Sequence, residues 1–427
     1  MLKKVVIIGA GPAGLLLAHY LLSRGKYQIE IYESRRLQDI TEITAYRTFP
    51  LSLQERGRKA IRMIPGLEEA IIANSIFCRG TLIYRKRGKP RNIKRNNPIL
   101  TIDRNRLVAI FYQKLLDNYS SEQLKIHFGC EAIQIDSPAH IITLQPQTGD
   151  SFTVNYDILI GADGANSRVR NYLNAQRGLQ CHQQYVPDSY KSLCLNRLNS
   201  ELGIALESDL IHTSNMGNNT RILLVPQPDN QLKGVILFPA DQNPFEDLLT
   251  SSQVLDFFEQ NFPIFAPLLS KEQAEILLKS PVGRPITIRC DRFHDNHAIL
   301  LIGDAAHAVS PSMGQGCNSS LQDVLILNHL LDQYDDNWQK VLPEFSKQRI
   351  FDAHAVQELS DYCFPRKGKL LIAEFFFRLV LGRLLNKYFP DFFKPFVVDL
   401  VFDTDIPYSQ ILSQNQRWIN KVKQSSN

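Results

Sequence analysis

Three short runs hold the residues whose types and spacing can do chemistry. The first is Gly9-Ala10-Gly11-Pro12-Ala13-Gly14, set between the β-branched run Val5-Val6-Ile7-Ile8 and an apolar stretch, Leu15 to Ser23. Unbroken Val and Ile suit a parallel strand buried on both faces, and the stretch after the glycines reads as a helix. In such a unit Gly9 permits the tight turn and Gly11 lets the backbone approach a pyrophosphate. Gly14 lets the helix lie close on the strand. The helix N-terminus then turns unpaired N–H groups toward phosphate. A second strand, Gln28 to Tyr32, ends at Glu33. That places a carboxylate about 20 residues beyond the glycines, where it accepts hydrogen bonds from ribose hydroxyls. The unit predicts a dinucleotide site and does not choose the dinucleotide.

The choice comes from the other two runs. Ile158 to Ile160 leads into Gly161-Ala162-Asp163-Gly164-Ala165-Asn166-Ser167-Arg168, a strand followed by a polar turn and a helix start. Ile299 to Ile302 leads into Gly303-Asp304-Ala305-Ala306-His307. Pro311 follows, and then Gly314-Gln315-Gly316-Cys317-Asn318 opens a helix to about Leu331. These runs resemble the DG and GD motifs of the class A flavin monooxygenases, the family that includes para-hydroxybenzoate hydroxylase. With the glycine turn they form the ordered triplet that marks the family. Within it the chain looks most like the kynurenine 3-monooxygenases. That likeness covers most of the chain, including Arg47 to Gly57, Gln183-Gln184-Tyr185-Val186-Pro187 and Gln416-Arg417-Trp418.

The resemblance implies an α/β fold: a Rossmann-like FAD-binding domain of the para-hydroxybenzoate hydroxylase type, an inserted mostly β substrate domain and a helical C-terminal region. It implies FAD as cofactor, NADPH or NADH as co-substrate, and O₂ with a small aromatic molecule as reactants. O₂ would add at flavin C4a, and the hydroperoxide would pass OH to an electron-rich ring. Glu33 would hold the adenosine ribose, and Arg104 the diphosphate or ribityl region. Asp163 and Gly164 would lie near the pyrophosphate and the incoming nicotinamide. Asp304 would bond the ribityl chain. Pro311 and Gly314 to Asn318 would cradle the isoalloxazine, where a helix N-terminus stabilises negative charge on reduced flavin. The flavin carries the chemistry, so no side chain is assigned as catalytic.

Substrate anchors depart from that pattern. The Arg and Tyr that hold the amino-acid carboxylate in kynurenine hydroxylases fall, in an ungapped reading, on Thr81 and Lys94, and a family Asn becomes Pro50. Arg79 or Lys94 could substitute, although Arg and Lys grip a carboxylate differently. Asn318 and Tyr362 remain as further substrate-side candidates. Alternative readings on the same scaffold are a reductase of a lipophilic, polyprenyl or quinone-like substrate, or a non-catalytic flavin-binding or membrane-docking module. A halogenase lacks its Trp-centred motif, with only Trp338 and Trp418 present. His307 is read as ordering its loop rather than as a general base. Cys317 has no visible base to make it a nucleophile.

The elements that must position these residues are ordinary. A composition of 44% hydrophobic and 21% charged residues can bury a sizeable core. The net charge of +5 suits anionic ligands and is too weak and diffuse for nucleic acid. Seven scattered cysteines, never in a CxxC pair, argue against a disulfide framework or a metal site and for a reducing, cytoplasmic setting. The apolar N-terminus is interrupted by the glycine pattern, so it is read as structure and not as a signal peptide. The FAD domain is expected over 1–72, 100–180 and 286–345, the substrate domain over 73–99 and 181–285, and helices over 346–427. Strands are expected at Arg221 to Val225 and Lys233 to Phe238. Seven basic residues crowd Arg85 to Arg95 around a hairpin tip at Gly88-Lys89-Pro90. The apolar stretch 370–402 is broken by Glu374, Arg378, Arg383 and Lys387 and ended by Pro390, so it is too interrupted to span a membrane. It is either a helix packed on the substrate domain or one resting on a membrane surface.

Overall fold

The computed structural model describes residues 2–41, 50–85, 88–295 and 298–426. Arg47, Thr48 and Phe49 of the family-like stretch, and Lys86 and Arg87 of the basic run, lie outside the described residues.

The β-branched runs form the centre of a five-stranded parallel sheet. Its order is Ile299–Leu301, Ile158–Gly161, Lys3–Ile8, Tyr27–Glu33, Leu124–Phe128. Val5, Val6, Ile7, Leu159, Ile160 and Ile299 to Leu301 expose no surface, as strands covered on both faces require. The registers align the strand ends: Ile8 lies beside both Tyr32 and Gly161, and Gly161 beside Leu301. The glycine turn, Glu33, Asp163 and Asp304 are therefore delivered to one edge. This is the carboxyl edge where open α/β sheets bind ligands. The helix Pro12–Ser23 buries almost its whole surface against the sheet and the helices Arg104–Asn118 and Gly316–Gln333.

A seven-stranded sheet forms the second layer, in the order Asp188–Asn196, Gln231–Pro239, Arg221–Pro226, Leu210–Asn215, Ile76–Tyr84, Arg91–Asp103, Pro50–Leu53. Both strands expected around 221 and 233 are there, each slightly longer. This sheet takes in Pro50–Leu53 and runs on to Asp103, beyond the segments expected for it. One face is sealed by the helices Ser251–Asn261 and Lys271–Lys279, whose Val254, Phe258 and Leu277 pack on Leu195, Ile222, Ile236 and Phe238. The other face carries only a small apolar patch, Cys78, Ile99, Ile211 and Val225. A two-stranded ribbon, Cys181–Tyr185 against Ile286–Cys290, takes the chain out to this sheet and back.

The C-terminal helices Trp338–Tyr362, Lys369–Tyr388, Val397–Asp403, Tyr408–Gln414 and Gln416–Ser426 share a core of their own around Phe375, Tyr408, Trp418 and Ile419. No described helix is long and apolar enough to cross a membrane.

Candidate active site

The first two motifs interlock through space that only glycine leaves. Gly9 has φ +107°, and a Cβ there would sit 2.4 Å from the Ala162 carbonyl oxygen of the second motif. A Cβ on Gly14 would sit 2.1 Å from the Gly9 carbonyl oxygen. Gly11 instead faces open space, with Arg104 Nη2 4.0 Å from where its Cβ would lie. Asp103 caps the helix that carries Arg104, accepting the Asn105 and Arg106 N–H groups, and is itself held by Lys233 at 3.1 Å. Among the described residues Arg104 has no hydrogen bond or ion pair. A guanidinium with no partner among the described residues, set over an open glycine, suits a diphosphate.

Glu33 accepts the Ala10 N–H at 2.9 Å and a fork from Arg35. Burial would raise its pKa, but the Arg35 side chain and the Arg35 and Ala10 N–H groups hold it below the usual value, so it stays ionised. At the start of the helix Arg168–Gln176, which Ser167 caps, Asp163 accepts the Arg168 N–H at 2.7 Å. Burial raises its pKa despite those bonds, and its Oδ1 is buried with no partner among the described residues. That oxygen is an acceptor available to a bound donor.

The third motif is pinned from behind. Asp323 accepts the Gly303 N–H at 2.8 Å and His307 Nε2 at 2.6 Å. Its other oxygen takes Arg349 Nε at 2.7 Å, and Arg349 reaches on to Asp352 and Ser319. Burial would raise the Asp323 carboxyl, but contacts with His307 and Arg349 and the Gly303 N–H hold it below the usual value. His307 is thus a buried loop anchor, which matches its reading from the sequence. A Cβ on Gly303 would sit 3.4 Å from Ala13 Cβ, so the third motif lies close against the first.

At the start of the helix Gly316–Gln333, Asn318 uses its whole amide inside the protein. It accepts the Gln54 N–H at 2.8 Å and donates to the Ser52 and Gly314 carbonyls at 2.8 and 3.0 Å. It straps the strand Pro50–Leu53 to this turn, and its amide presents no spare group to a substrate. Gly314 has φ +61°, with Ser52 Oγ 2.7 Å from its would-be Cβ. Gln315 bonds Gln54 and receives the Tyr408 hydroxyl at 2.7 Å, while Pro311 begins the short turn before Gly314. Arg56 stacks 4.0 Å over Tyr408 and donates to the Val401 and Ile406 carbonyls. Asp304 lies 3.7 Å from the would-be Cβ of Gly316. Burial pushes the Cys317 thiol up to about 12, so it stays protonated and is no nucleophile.

Substrate-side candidates do not gather. Thr81 lies beside Ile211 and Ile93, on the open face of the second sheet. Lys94 pairs with Gly80, is exposed, and gives its carbonyl to Arg383. Arg79 is exposed and paired with Asp209. Tyr362 packs on the C-terminal core under Lys423. Pro50 opens its strand opposite Asp103.

The chain matches the pyridine nucleotide-disulphide oxidoreductase model over residues 3–194 and the FAD binding domain model over 272–341. It is 32% identical to kynurenine 3-monooxygenase of Sus scrofa over 423 residues, covering 98% of this chain and 87% of that one. It is 30% identical to kynurenine 3-monooxygenase of Legionella pneumophila (strain Corby), covering 96% and 91%. The chain belongs to the FAD-binding monooxygenase family. The fold agrees: 2-methyl-3-hydroxypyridine-5-carboxylic acid oxygenase superposes with a TM-score of 0.70 at 21% identity, over 85% of this chain and 91% of that one.

This monooxygenase is an FAD-dependent aromatic hydroxylase with NADPH or NADH as co-substrate, and its relatives favour neither the reductase nor the non-catalytic reading. The residues present fit FAD on the structure's own terms: a glycine cradle, an unpaired Arg104, an ionised Glu33 and an orphaned Asp163 oxygen on one sheet edge. When bound, FAD supplies the redox chemistry, taking a hydride from the co-substrate and activating O₂ for insertion into an aromatic ring. The chain binds, orients and excludes water. Arg104 would offset diphosphate charge, Glu33 would take the ribose hydroxyls while sharing its carboxylate with Arg35, and the N–H groups after Gln315 would face the ring. Sequence reasoning missed Asp323, Arg349, Arg56 and Tyr408. A buried Asp inside an apolar helix was the available signal for the first. Nothing local marks Tyr408.

Proposed function

We propose that the substrate is a small aromatic α-amino acid of the kynurenine type, held between the open face of the second sheet and the C-terminal helices. The observation that carries this reading is Arg95. It lies beside Cys78, 4.8 Å from the Phe402 ring, with a buried Nε that has no partner among the described residues. Burial lowers its pKa, with Asp403 and Asp399 acting the other way. Asp399 is already engaged by Arg383 at 2.7 Å. Asp403 is raised to about 6, by burial first and Asp399 second. A guanidinium and an adjacent carboxyl offer complementary contacts to a carboxylate and an ammonium, with the aromatic ring on the apolar patch. Arg95 thus takes the part that Arg79 and Lys94 are placed too far out to play. The test is substrate-stimulated NADPH oxidation with kynurenine, other aromatic amino acids and simple phenols, with product mass. An amino acid gaining one oxygen supports the reading; stimulation by phenols alone sinks it.

A separate observation favours peripheral contact with an anionic membrane. Large apolar side chains crowd the surface of one segment: Leu370 is 89% exposed, Phe377 65% and Phe392 83%, with Val380, Leu384, Tyr388 and Phe389 between them. Only Leu371, Phe375 and Leu379 of the helix Lys369–Tyr388 are buried. Lys367, Lys369, Arg378, Lys387 and Lys394 are exposed around the patch. An amphipathic surface of this kind inserts shallowly while its cations meet lipid phosphate. Flotation with phosphatidylserine-containing vesicles, lost in Phe377→Asp/Phe392→Asp, supports it; no flotation in low salt overturns it.

A further inference from the structure

The ribbon that joins the two sheets carries a pair of thiols, one on each strand. Cys181 and Cys290 are direct cross-strand partners, and both are reduced. The neighbouring pair is bonded through the Asp291 N–H to the Gln180 carbonyl at 3.0 Å. By the alternation of antiparallel ladders, Cys181 and Cys290 then occupy a non-hydrogen-bonded position, where Cα atoms lie about 4.5 Å apart and side chains are closest. The Sγ atoms are 3.2 Å apart. Disulfides accept Cα separations of roughly 4.4–6.8 Å, so a bond here asks for side-chain rotation and no backbone movement.

The two sulfurs are not equivalent. Cys290 is buried, and Cys181 is partly open to solvent. The Cys290 thiol points its hydrogen at Cys181, and that bond holds Cys181 down at about 7, assisted by Arg170 and opposed by burial and Asp291. Cys290 is raised by the same contact. Cys181, the sulfur that solvent reaches, is therefore the one an oxidant meets first, and Cys290 behind it is placed as the resolving partner.

Position gives the pair a consequence. The ribbon is the double crossing between the parallel sheet and the seven-stranded sheet. Arg170, beside the pair, donates to the Ala305 carbonyl at 3.0 Å and the Ala165 carbonyl at 2.7 Å, one in each of the later FAD motifs. His354 meets the Cys290 carbonyl, and Ile288 bonds the Ala308 carbonyl at 2.9 Å.

We propose that Cys181 and Cys290 are a peroxide-oxidisable dithiol whose disulfide staples the interdomain ribbon. The oxidant is hydrogen peroxide, which a flavin monooxygenase releases when turnover runs without hydroxylation. Cys181 thiolate attacks one peroxide oxygen, the O–O bond breaks, and with one proton the products are Cys181 sulfenic acid and water. Cys290 sulfur then attacks the sulfenic sulfur, and its proton leaves with the hydroxyl as a second water. Two thiols lose two electrons and peroxide gains them. A thiol reductant reverses the bond.

The experiment uses the reduced, FAD-loaded protein and stoichiometric hydrogen peroxide, with non-reducing peptide mapping and a thiol count after denaturation. The expected result is a Cys181–Cys290 linked peptide, loss of two of the seven thiols, recovery with dithiothreitol, and slower amide exchange in both ribbon strands. Cys290→Ser should trap sulfenic acid at Cys181, captured by dimedone. Cys181 carried to sulfinic acid with Cys290 still reduced, or both thiols surviving peroxide, overturns the proposal. The wild-type map decides it even if a variant fails to fold.

Discussion

The nucleotide edge and the proposed substrate face of this monooxygenase are built on opposite terms. At the nucleotide edge, backbone meets backbone: a single methyl on Gly14 would sit 2.1 Å from a carbonyl oxygen, and Asp323 and Arg349 lock the third motif with no exposed surface. On the substrate face, the strands Ile76–Tyr84 and Arg91–Asp103 shift register between Cys78 and Gly80, and the neighbours are long charged side chains such as Arg95 and Asp403. A cofactor common to many proteins needs a cradle defined by sterics. A particular substrate needs only a few polar groups on an adaptable apolar face. Changes at the first should be catastrophic and at the second selective.

The largest effect is expected from Arg349→Met. It leaves Asp323 buried without its cation and should cost about 3–5 kcal/mol of stability, read by chemical denaturation together with loss of FAD. Retained flavin and unchanged stability would break the contrast. Next, Gly14→Ala should cost about 3 kcal/mol through overpacking, with FAD content falling at 450 nm before the fold is lost. Arg95→Met should raise KM about 10–100-fold, the worth of a charge-assisted hydrogen bond, with FAD content unchanged and a smaller effect on kcat. If flavin is lost as well, the two regions are not separable. A smaller effect follows from pH. Asp403 is raised to about 6 in the folded protein, so the native state binds its proton more tightly than the unfolded chain does. Stability should therefore fall as pH rises from about 4 to about 6 and level off above that. Asp403→Asn should flatten this part of a pH–Tm profile. The smallest effect is expected from Thr81→Val, within about 0.5 kcal/mol for a half-buried position with no special role; a large rise in KM there would move the anchor from Arg95 to Thr81.

The same contrast explains what was legible in the residues. The parallel strands of the three motifs, their order and the helix after Gly316 are local patterns, so β-branched runs and glycine spacing announced them, whereas only two strands of the seven-stranded sheet were named. Arg79 and Lys94 were reasonable anchors by charge and position. The pairing of Lys94 with Gly80, and of Arg79 with Asp209, turns both toward solvent. Asn318 was named for its place in a motif, but its amide is consumed by Gln54 and Ser52, which lie far from it in the chain, and by Gly314 one helical turn back. The Arg56–Tyr408–Gln315 clamp joins three segments with no shared local signal.

By itself the sequence determined the three FAD motifs and their order, because steric demands on Gly9 and Gly14 and the acid at the end of the second strand are properties of a few adjacent residues. Only the tertiary structure decided which charges gather at the proposed substrate face, that Asp323 and Arg349 hold the third motif, and that Cys181 lies across from Cys290. Those outcomes depend on strand register and on contacts between separate elements of the fold, and pairwise packing is not written in local spacing.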